Sequence, residues 1–338
     1  MTSVRGRLVA MGAAIVALHV VGFGLLLLAV DGPARGLTAF GVGTGVLAYT
    51  LGMRHAFDVD HIAAIDNVTR RLRGDGQKPV AVGFAFSLGH STVVLVLVLL
   101  LALGVRTLGV EVARDGSLLH EITGTIGPVV SSVFLLAVAA INLLAARALL
   151  RYRRQARAGA AVAVGGPPGG PLMRLLARPA AAIDRSWKMY PLGFLFGLGF
   201  DTATEVGLLV LAGTGVVADL PLWAVLSLPI LFAAGMSLMD SLDGAFMNAA
   251  YGWSAADPVR RMSYDLTITG FSVLVAVVVA VIQLAQVARE QLGWPVGPLG
   301  GLDTGDAGYV VVGLFALFWL GAIVASRPGL RARARVAR

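Results

Sequence analysis

Residues 80–104 read Val80-Ala81-Val82-Gly83-Phe84-Ala85-Phe86-Ser87-Leu88-Gly89-His90-Ser91-Thr92-Val93-Val94-Leu95-Val96-Leu97-Val98-Leu99-Leu100-Leu101-Ala102-Leu103-Gly104. The stretch holds no Lys, Arg, Asp or Glu. A bilayer core takes roughly 20 apolar helical residues to cross, so it is long enough to span one. Apolar side chains fill consecutive positions instead of alternating. That pattern excludes a barrel strand and predicts a helix that is apolar all round, as lipid demands. Charge returns only at the flanks, with Lys78 before and Arg106 after.

The rest of the chain has the same character. Of its 338 residues 57% are hydrophobic and 14% charged, against about a quarter charged in a soluble domain. The 43 glycines suit helices that pack closely through small residues. No cysteine is present, which removes disulfides, thiolate zinc sites and thiol catalysis and leaves His, carboxylate, amide or Met as metal ligands. The net charge of +8 lies between apolar spans, so it speaks of membrane topology and not of nucleic acid.

Hydropathy predicts an all-α polytopic membrane protein of eight spans, at about 8–30, 38–66, 80–104, 122–147, 189–214, 221–247, 265–288 and 308–326. Arg5 and Arg7 precede the first apolar run as in a signal peptide. The run is too long for one and no small-residue cleavage site follows, so it reads as a span. Alternate segments collect Arg5, Arg7, Arg70, Arg71, Arg73, Lys78, the basic loop from Arg147 to Lys188, Arg260, Arg261 and the tail from Arg327. The opposite side holds Arg35, Arg106, Arg114 and Arg289. The positive-inside rule therefore puts both termini in the cytoplasm, and an even number of spans requires them to share a side.

Residues 148–188 include Gly165-Gly166-Pro167-Pro168-Gly169-Gly170-Pro171 and read as a flexible basic cytoplasmic linker. It divides the membrane part into four-span halves, 1–147 and 189–326. An Arg-rich cytoplasmic tail, 327–338, follows and suits anionic headgroups of the lipid bilayer.

Ionisable residues are costly inside spans and mark a site by default. Here they gather in the second, third, fifth and sixth spans. His19, alone in the first, reads as an interhelical hydrogen-bonding residue. The second span ends Arg54-His55-Ala56-Phe57-Asp58-Val59-Asp60-His61-Ile62-Ala63-Ala64-Ile65-Asp66-Asn67. On a continuous helix His55, Asp58 and His61 step by three and share a face, a ligand set that suits Ni, Co, Cu or Zn. Asp60 points elsewhere on such a helix. It reads as a carboxylate fixing an imidazole tautomer, unless the helix unwinds there. Arg54 reads as a counter-charge for these acids.

His90 falls near mid-membrane and reads equally as a ligand or an interhelical hydrogen bond. In the fifth span Asp201 and Glu205 are four apart and share a face, fit for a cation or a coupled proton. In the sixth, Asp240 and Asp243 are three apart; Met236, Met239 and Met247 beside them read as core. Gly83-Phe84-Ala85-Phe86-Ser87-Leu88-Gly89 also resembles Gly193-Phe194-Leu195-Phe196-Gly197-Leu198-Gly199, at similar depth in two spans running the same way.

His55, four intervening residues and the Asp60-His61 pair resemble the HxxxxDH pattern of the nickel/cobalt transporter (NiCoT) permeases. The similarity extends to Phe86-Ser87-Leu88-Gly89-His90-Ser91, to Leu198-Gly199-Phe200-Asp201-Thr202-Ala203-Thr204-Glu205 and to Gly235-Met236-Ser237-Leu238-Met239-Asp240-Ser241-Leu242-Asp243. Four motifs in order cover most of the membrane part. Val59 and Ser241 depart from the family's usual Ala and Thr. The resemblance implies a single-chain secondary permease that takes up Ni²⁺ or Co²⁺ across the cytoplasmic membrane, with the second-span His and Asp residues essential.

On that reading the ion is the transported substrate and not a resident cofactor. Its expected ligands come from His55, Asp58, Asp60, His61 and His90, with Asp201, Glu205, Asp240 and Asp243 completing the shell, offsetting charge or carrying a proton. An intramembrane metalloenzyme would need a motif such as HExxH or several His-rich clusters. The five histidines, His19, His55, His61, His90 and His120, supply neither. No GxxxxGK[ST] loop occurs, so no ATP hydrolysis by this chain is expected. Dependence on a separate ATPase is the other reading; polar residues in both halves favour self-sufficiency.

Overall fold

The structure, a computed structural model, describes residues 4–37, 40–103, 118–157, 183–198, 203–254, 258–298 and 307–325. All regular structure among them is helical. In chain order the helices are α1 (Val4–Asp31), α2 (Val42–His55), α3 (Val59–Gly74), α4 (Val82–Ala102), α5 (Leu118–Arg157), α6 (Met189–Phe196), α7 (Ala203–Val217), α8 (Leu222–Ser254), α9 (Pro258–Leu292) and α10 (Ala307–Ala325), with a 3₁₀ turn at Ser186–Lys188.

Four stretches among the described residues are long and apolar enough to cross a membrane: Val4–Asp31, Val82–Ala102, Leu222–Tyr251 and Thr269–Leu292. Shorter apolar segments lie at Pro128–Leu144, Gly207–Val216 and Tyr309–Phe318. The chain is thus a multi-pass helical membrane protein. Side chains such as Val9, Val20, Leu28, Val210 and Leu317 are exposed along these helices, as expected of a lipid-facing surface.

Two spans expected to be continuous are broken. The stretch 38–66 divides into α2 and α3, because the chain leaves the helix at Asp58, whose backbone is extended (φ −64°, ψ 137°). The face on which His55, Asp58 and His61 were to step by three therefore does not exist. Asp is a weak helix former whose carboxylate readily takes other partners, and here it is spent on the ring of His55. The stretch 189–214 divides likewise: α6 ends at Phe196, a turn takes up Gly197 and Leu198, and α7 begins at Ala203. α5 runs on to Arg157, so residues 148–157 of the stretch read as linker continue that helix, and 158–182 lie outside the described residues.

α8 is the central post. It packs on α1, α2, α3, α4 and α7, while α5 pairs extensively with α9 and α4 with α6. Glycines allow the closest approaches. A β-carbon at Gly52 would collide with the carbonyl of Phe232, and one at Gly83 with that of Asp240. One at Gly193 would meet the carbonyl of Phe86, and one at Gly197 would lie 2.9 Å from that of His90. The last two contacts rise together along both chains, so the two similar glycine segments lie side by side and parallel, with Phe86 and Phe196 ring to ring at 5.3 Å.

The buried apolar side chains form two clusters. One gathers around Val59, Ile62, Ile65 and Phe86 with α5, α6 and α9. The other gathers around Ala56, Leu208, Leu228 and Phe232 with α1, α2 and α7. The break at 56–58 lies on the seam between them.

Candidate metal centre

The seam is lined by polar groups. α2 delivers His55 at its last residue, α3 delivers His61 in its first turn, and α4 delivers His90 from its middle. All three imidazoles are at most 2% exposed. Their ring centroids are 4.7 Å (His55–His61), 4.7 Å (His55–His90) and 4.9 Å (His61–His90) apart. Each offers a nitrogen within 4.8 Å of the others. Glu205, in the first turn of α7 and 1% exposed, completes the ring.

The donor atoms are spaced like one edge of a coordination shell. His55 Nε2 lies 2.9 Å from His90 Nε2, His90 Nε2 lies 2.7 Å from Glu205 Oε1, and His55 Nε2 lies 3.7 Å from the same oxygen. With metal–nitrogen bonds of roughly 2.1 Å, neighbouring ligand atoms stand about 3.0 Å apart in an octahedron and about 3.4 Å in a tetrahedron. The observed separations bracket both values. Without an ion the same atoms must share protons. With one, each lone pair acquires a common partner.

The outer nitrogen of His55 is also committed. Nδ1 lies 2.8 Å from Asp58 Oδ2 and 3.0 Å from Thr204 Oγ1. The carboxylate at ion-pair distance favours a proton on Nδ1, the tautomer in which Nε2 presents its lone pair to the centre. Thr204 sits one residue before Glu205, so α7 both orients one imidazole and supplies the neighbouring carboxylate. Aromatic rings close the sides: Phe86 stands edge-on to His61 at 4.7 Å, and Phe232 lies 5.6 Å from His55. An ion here would be cut off from bulk water.

Asp240 lines the remaining side. It is wholly buried, its Oδ2 is 3.7 Å from His61 Nδ1, and neither of its oxygens has a hydrogen-bond partner among the described residues. A bare buried carboxylate is costly unless a cation or a proton answers it. Borderline-soft nitrogens and hard carboxylate oxygens, converging at a buried site in a chain without cysteine, suit a divalent first-row ion such as Ni²⁺ or Co²⁺.

Comparison with known proteins agrees with that chemistry. Residues 41–325 match the family described as NicO, high-affinity nickel-transport protein. The chain belongs to the NicO family. It is 51% identical over 324 residues to the nickel transporter NicT of Mycobacterium tuberculosis, covering 93% of this chain and 87% of the relative. It is 44% identical to the cobalt transport protein NhlF of Rhodococcus rhodochrous (95% and 92% covered) and 40% identical to the nickel transporter NixA of Staphylococcus aureus (91% and 90%). No solved structure is a significant match. NicO proteins are transporters, so the chain is one too and not an enzyme.

Most of the NicO chain's expected site residues meet at the seam. His55, Asp58, His61, His90, Glu205 and Asp240 are brought together there, the first three by the broken helix and not by a helical stripe. Asp60 is not. Its Oδ1 accepts the His61 backbone N–H, and its Oδ2 faces Ser131 and Gln283. Asp243 lies three residues beyond Asp240 on α8, with both oxygens buried and without hydrogen-bond partners among the described residues. Asp201 lies outside the described residues. Arg54, expected as a counter-charge, is exposed at the end of α2. His19 bonds to Tyr49 of α2 at 3.2 Å and to its own helix at Ile15, an interhelical role as expected.

Sequence reading passed over Asp66. Fully buried on α3, it accepts hydrogen bonds from Tyr251 and, at 2.7 Å, from Ser272, which tie α3 to α8 and α9. It also gave no role to Thr204, Phe232 or Gln283. Only Gln283, an amide within an apolar span, carried a signal of its own.

Proposed function

We propose that this NicO chain takes up Ni²⁺, Co²⁺ or both across the cytoplasmic membrane, with His55, His61 and His90 as the nitrogen ligands of a dehydrated ion. The observation that carries the reading is the convergence of three buried imidazoles with the buried carboxylate of Glu205. Asp58 holds the tautomer of His55. Asp240 answers the ion's charge beside His61, and Asp243 and Asp201 offset charge or carry a proton. Asp60 acts next to this shell, through the backbone of His61.

In this reading the chain crosses the membrane eight times: α1, α2 with α3, α4, α5, α6 with α7, α8, α9 and α10. Both termini are cytoplasmic. The halves 1–147 and 189–326 are joined by the basic stretch 148–188, whose first ten residues extend α5, and the tail 327–338 rests on cytoplasmic headgroups. Two broken helices put helix ends at the ion's depth, an arrangement secondary transporters use for midplane sites.

The ion arrives from outside and exchanges water for imidazole and carboxylate. His90 then carries its proton on Nδ1 instead of Nε2, so that Nε2 turns a lone pair to the ion and Glu205 gives up its hydrogen bond from that nitrogen. A divalent cation entering a negative interior gains about 4.6 kcal/mol per 100 mV, so uptake needs no separate ATPase to be downhill.

Uptake of radioactive nickel by cells expressing this chain alone tests the reading. His55→Ala and His90→Ala should each abolish uptake while membrane levels stay normal. Wild-type uptake by either variant would remove the ligand assignment.

A further inference from the structure

α3 begins inside the membrane, so the free N–H groups of its first turn need partners that no water supplies. The first backbone bond of the helix runs from Ile62 N to Asp58 O, at 3.2 Å. Asp58 would ordinarily cap the remaining donors, but its side chain makes no cap bond and is engaged with His55. Asp60 takes over, its Oδ1 accepting the His61 N–H at 2.9 Å.

The other oxygen of Asp60 is held from outside the hairpin. Ser131 Oγ of α5 and Gln283 Nε2 of α9 each donate to Asp60 Oδ2 at 3.3 Å. The amide of Gln283 is itself oriented. Ser132 Oγ lies 3.1 Å from Gln283 Oε1 and 3.3 Å from the carbonyl of Ala280, so its one proton can hold the amide oxygen away from Asp60. Ser131 and Ser132 are buried, and Gln283 lies within the apolar stretch Thr269–Leu292. A polar chain thus runs from the α5–α9 pair through one carboxylate to the backbone of a residue whose ring belongs to the metal centre.

We propose that Gln283, with Ser131 and Ser132, is a positioning unit for the metal centre. It fixes the carboxylate of Asp60, Asp60 fixes the first turn of α3, and the His61 ring is thereby set against those of His55 and His90. The proposal rests on the reading that these imidazoles take the ion. It gives α5 and α9, which supply none of the imidazoles, a part in metal affinity. Hydrogen bonds to a charged acceptor are the stronger kind, so losing one should be felt at the centre.

The test is calorimetric titration of purified full-length protein in detergent with Ni²⁺. Gln283→Met keeps the volume and removes the donor. Expected is a rise in Kd of roughly tenfold with the number of sites per chain unchanged. A purely structural role for Gln283 would do the opposite, lowering the number of competent sites and leaving their Kd alone. That result, or an unchanged titration, overturns the proposal. In a His61→Gln background the same substitution should add nothing; a further tenfold loss there overturns the route through His61. Should His61→Gln bind Ni²⁺ as the wild type does, the ligand reading itself falls, a failure separable from wild-type behaviour of Gln283→Met alone.

Discussion

Gly197 is where a single added methyl group would press directly on the backbone of His90. It follows α6 at the break, with φ −67° and ψ −9°, a conformation alanine adopts without strain. Any effect of Gly197→Ala must therefore come from contact. The new β-carbon would stand 2.9 Å from the carbonyl oxygen of His90, 3.2 Å from its Cα and 3.3 Å from Val93 Cβ. Ordinary contact begins near 3.4 Å, so α4 must retreat by about 0.5 Å, and every close atom is main chain or rigid branched side chain. The retreat is applied to His90 itself, whose Nε2 is 2.7 Å from Glu205 and 2.9 Å from His55. Metal–ligand distances tolerate about 0.2 Å, less than half of that shift. Since a misplacement of ~1 Å costs on the order of a hundredfold at a preorganised site, Kd for Ni²⁺ should rise about tenfold. Titration of purified protein and initial uptake rates read the effect. Gly270→Ala is the control, because nothing lies within 4 Å of its added carbon. Wild-type affinity in Gly197→Ala would refute the idea that the parallel packing of α4 and α6 sets the ligand geometry.

Asp58→Asn removes the charge that holds His55 Nδ1 and should weaken Ni²⁺ binding by roughly 10–100-fold, measured as Kd, with membrane levels unchanged; an unaltered Kd would mean the tautomer needs no carboxylate. Acidification should weaken binding more steeply than tenfold per pH unit, because each imidazole must be unprotonated to bind and protons compete at more than one of them; titrations at stepped pH check this, and a flat profile contradicts imidazole ligation. The chain has no cysteine of its own, so single cysteines report topology directly. One placed at Ala160 should react with an impermeant maleimide only in inside-out vesicles and one at Arg35 only in intact cells, and the reverse pattern would invert the proposed orientation.

Hydropathy alone located α1, α4 and α10 to within four residues at each end, because a lipid-facing helix must be apolar along its whole length and little else is; α8 and α9 each run seven residues past one expected end. Periodicity failed where the membrane rule is broken for function. Nothing in the apolar pattern distinguishes a continuous helix at 38–66 from two pieces meeting at Asp58, since both bury the same residues. The decisive term is a side-chain bond from Asp58 to His55, which is tertiary and invisible to a helical wheel. The histidines were legible because an imidazole in oil demands an explanation. Asp60 was legible as a polar anomaly but not as a cap, for its partners Ser131 and Gln283 lie 71 and 223 residues away along the chain. Thr204 was hidden for a different reason: hydroxyls are common in spans, and only proximity to His55 Nδ1 gives this one a task.

X-ray absorption at the nickel edge of the Ni²⁺-loaded, purified protein addresses the metal centre most directly. Expected is a shell of nitrogen and oxygen at roughly 2.1 Å, with the outer-shell scattering of two or more imidazoles that diminishes in His55→Ala and in His90→Ala. A shell of oxygen alone, or an imidazole signature untouched by both substitutions, would place the ion somewhere other than between α2, α3 and α4.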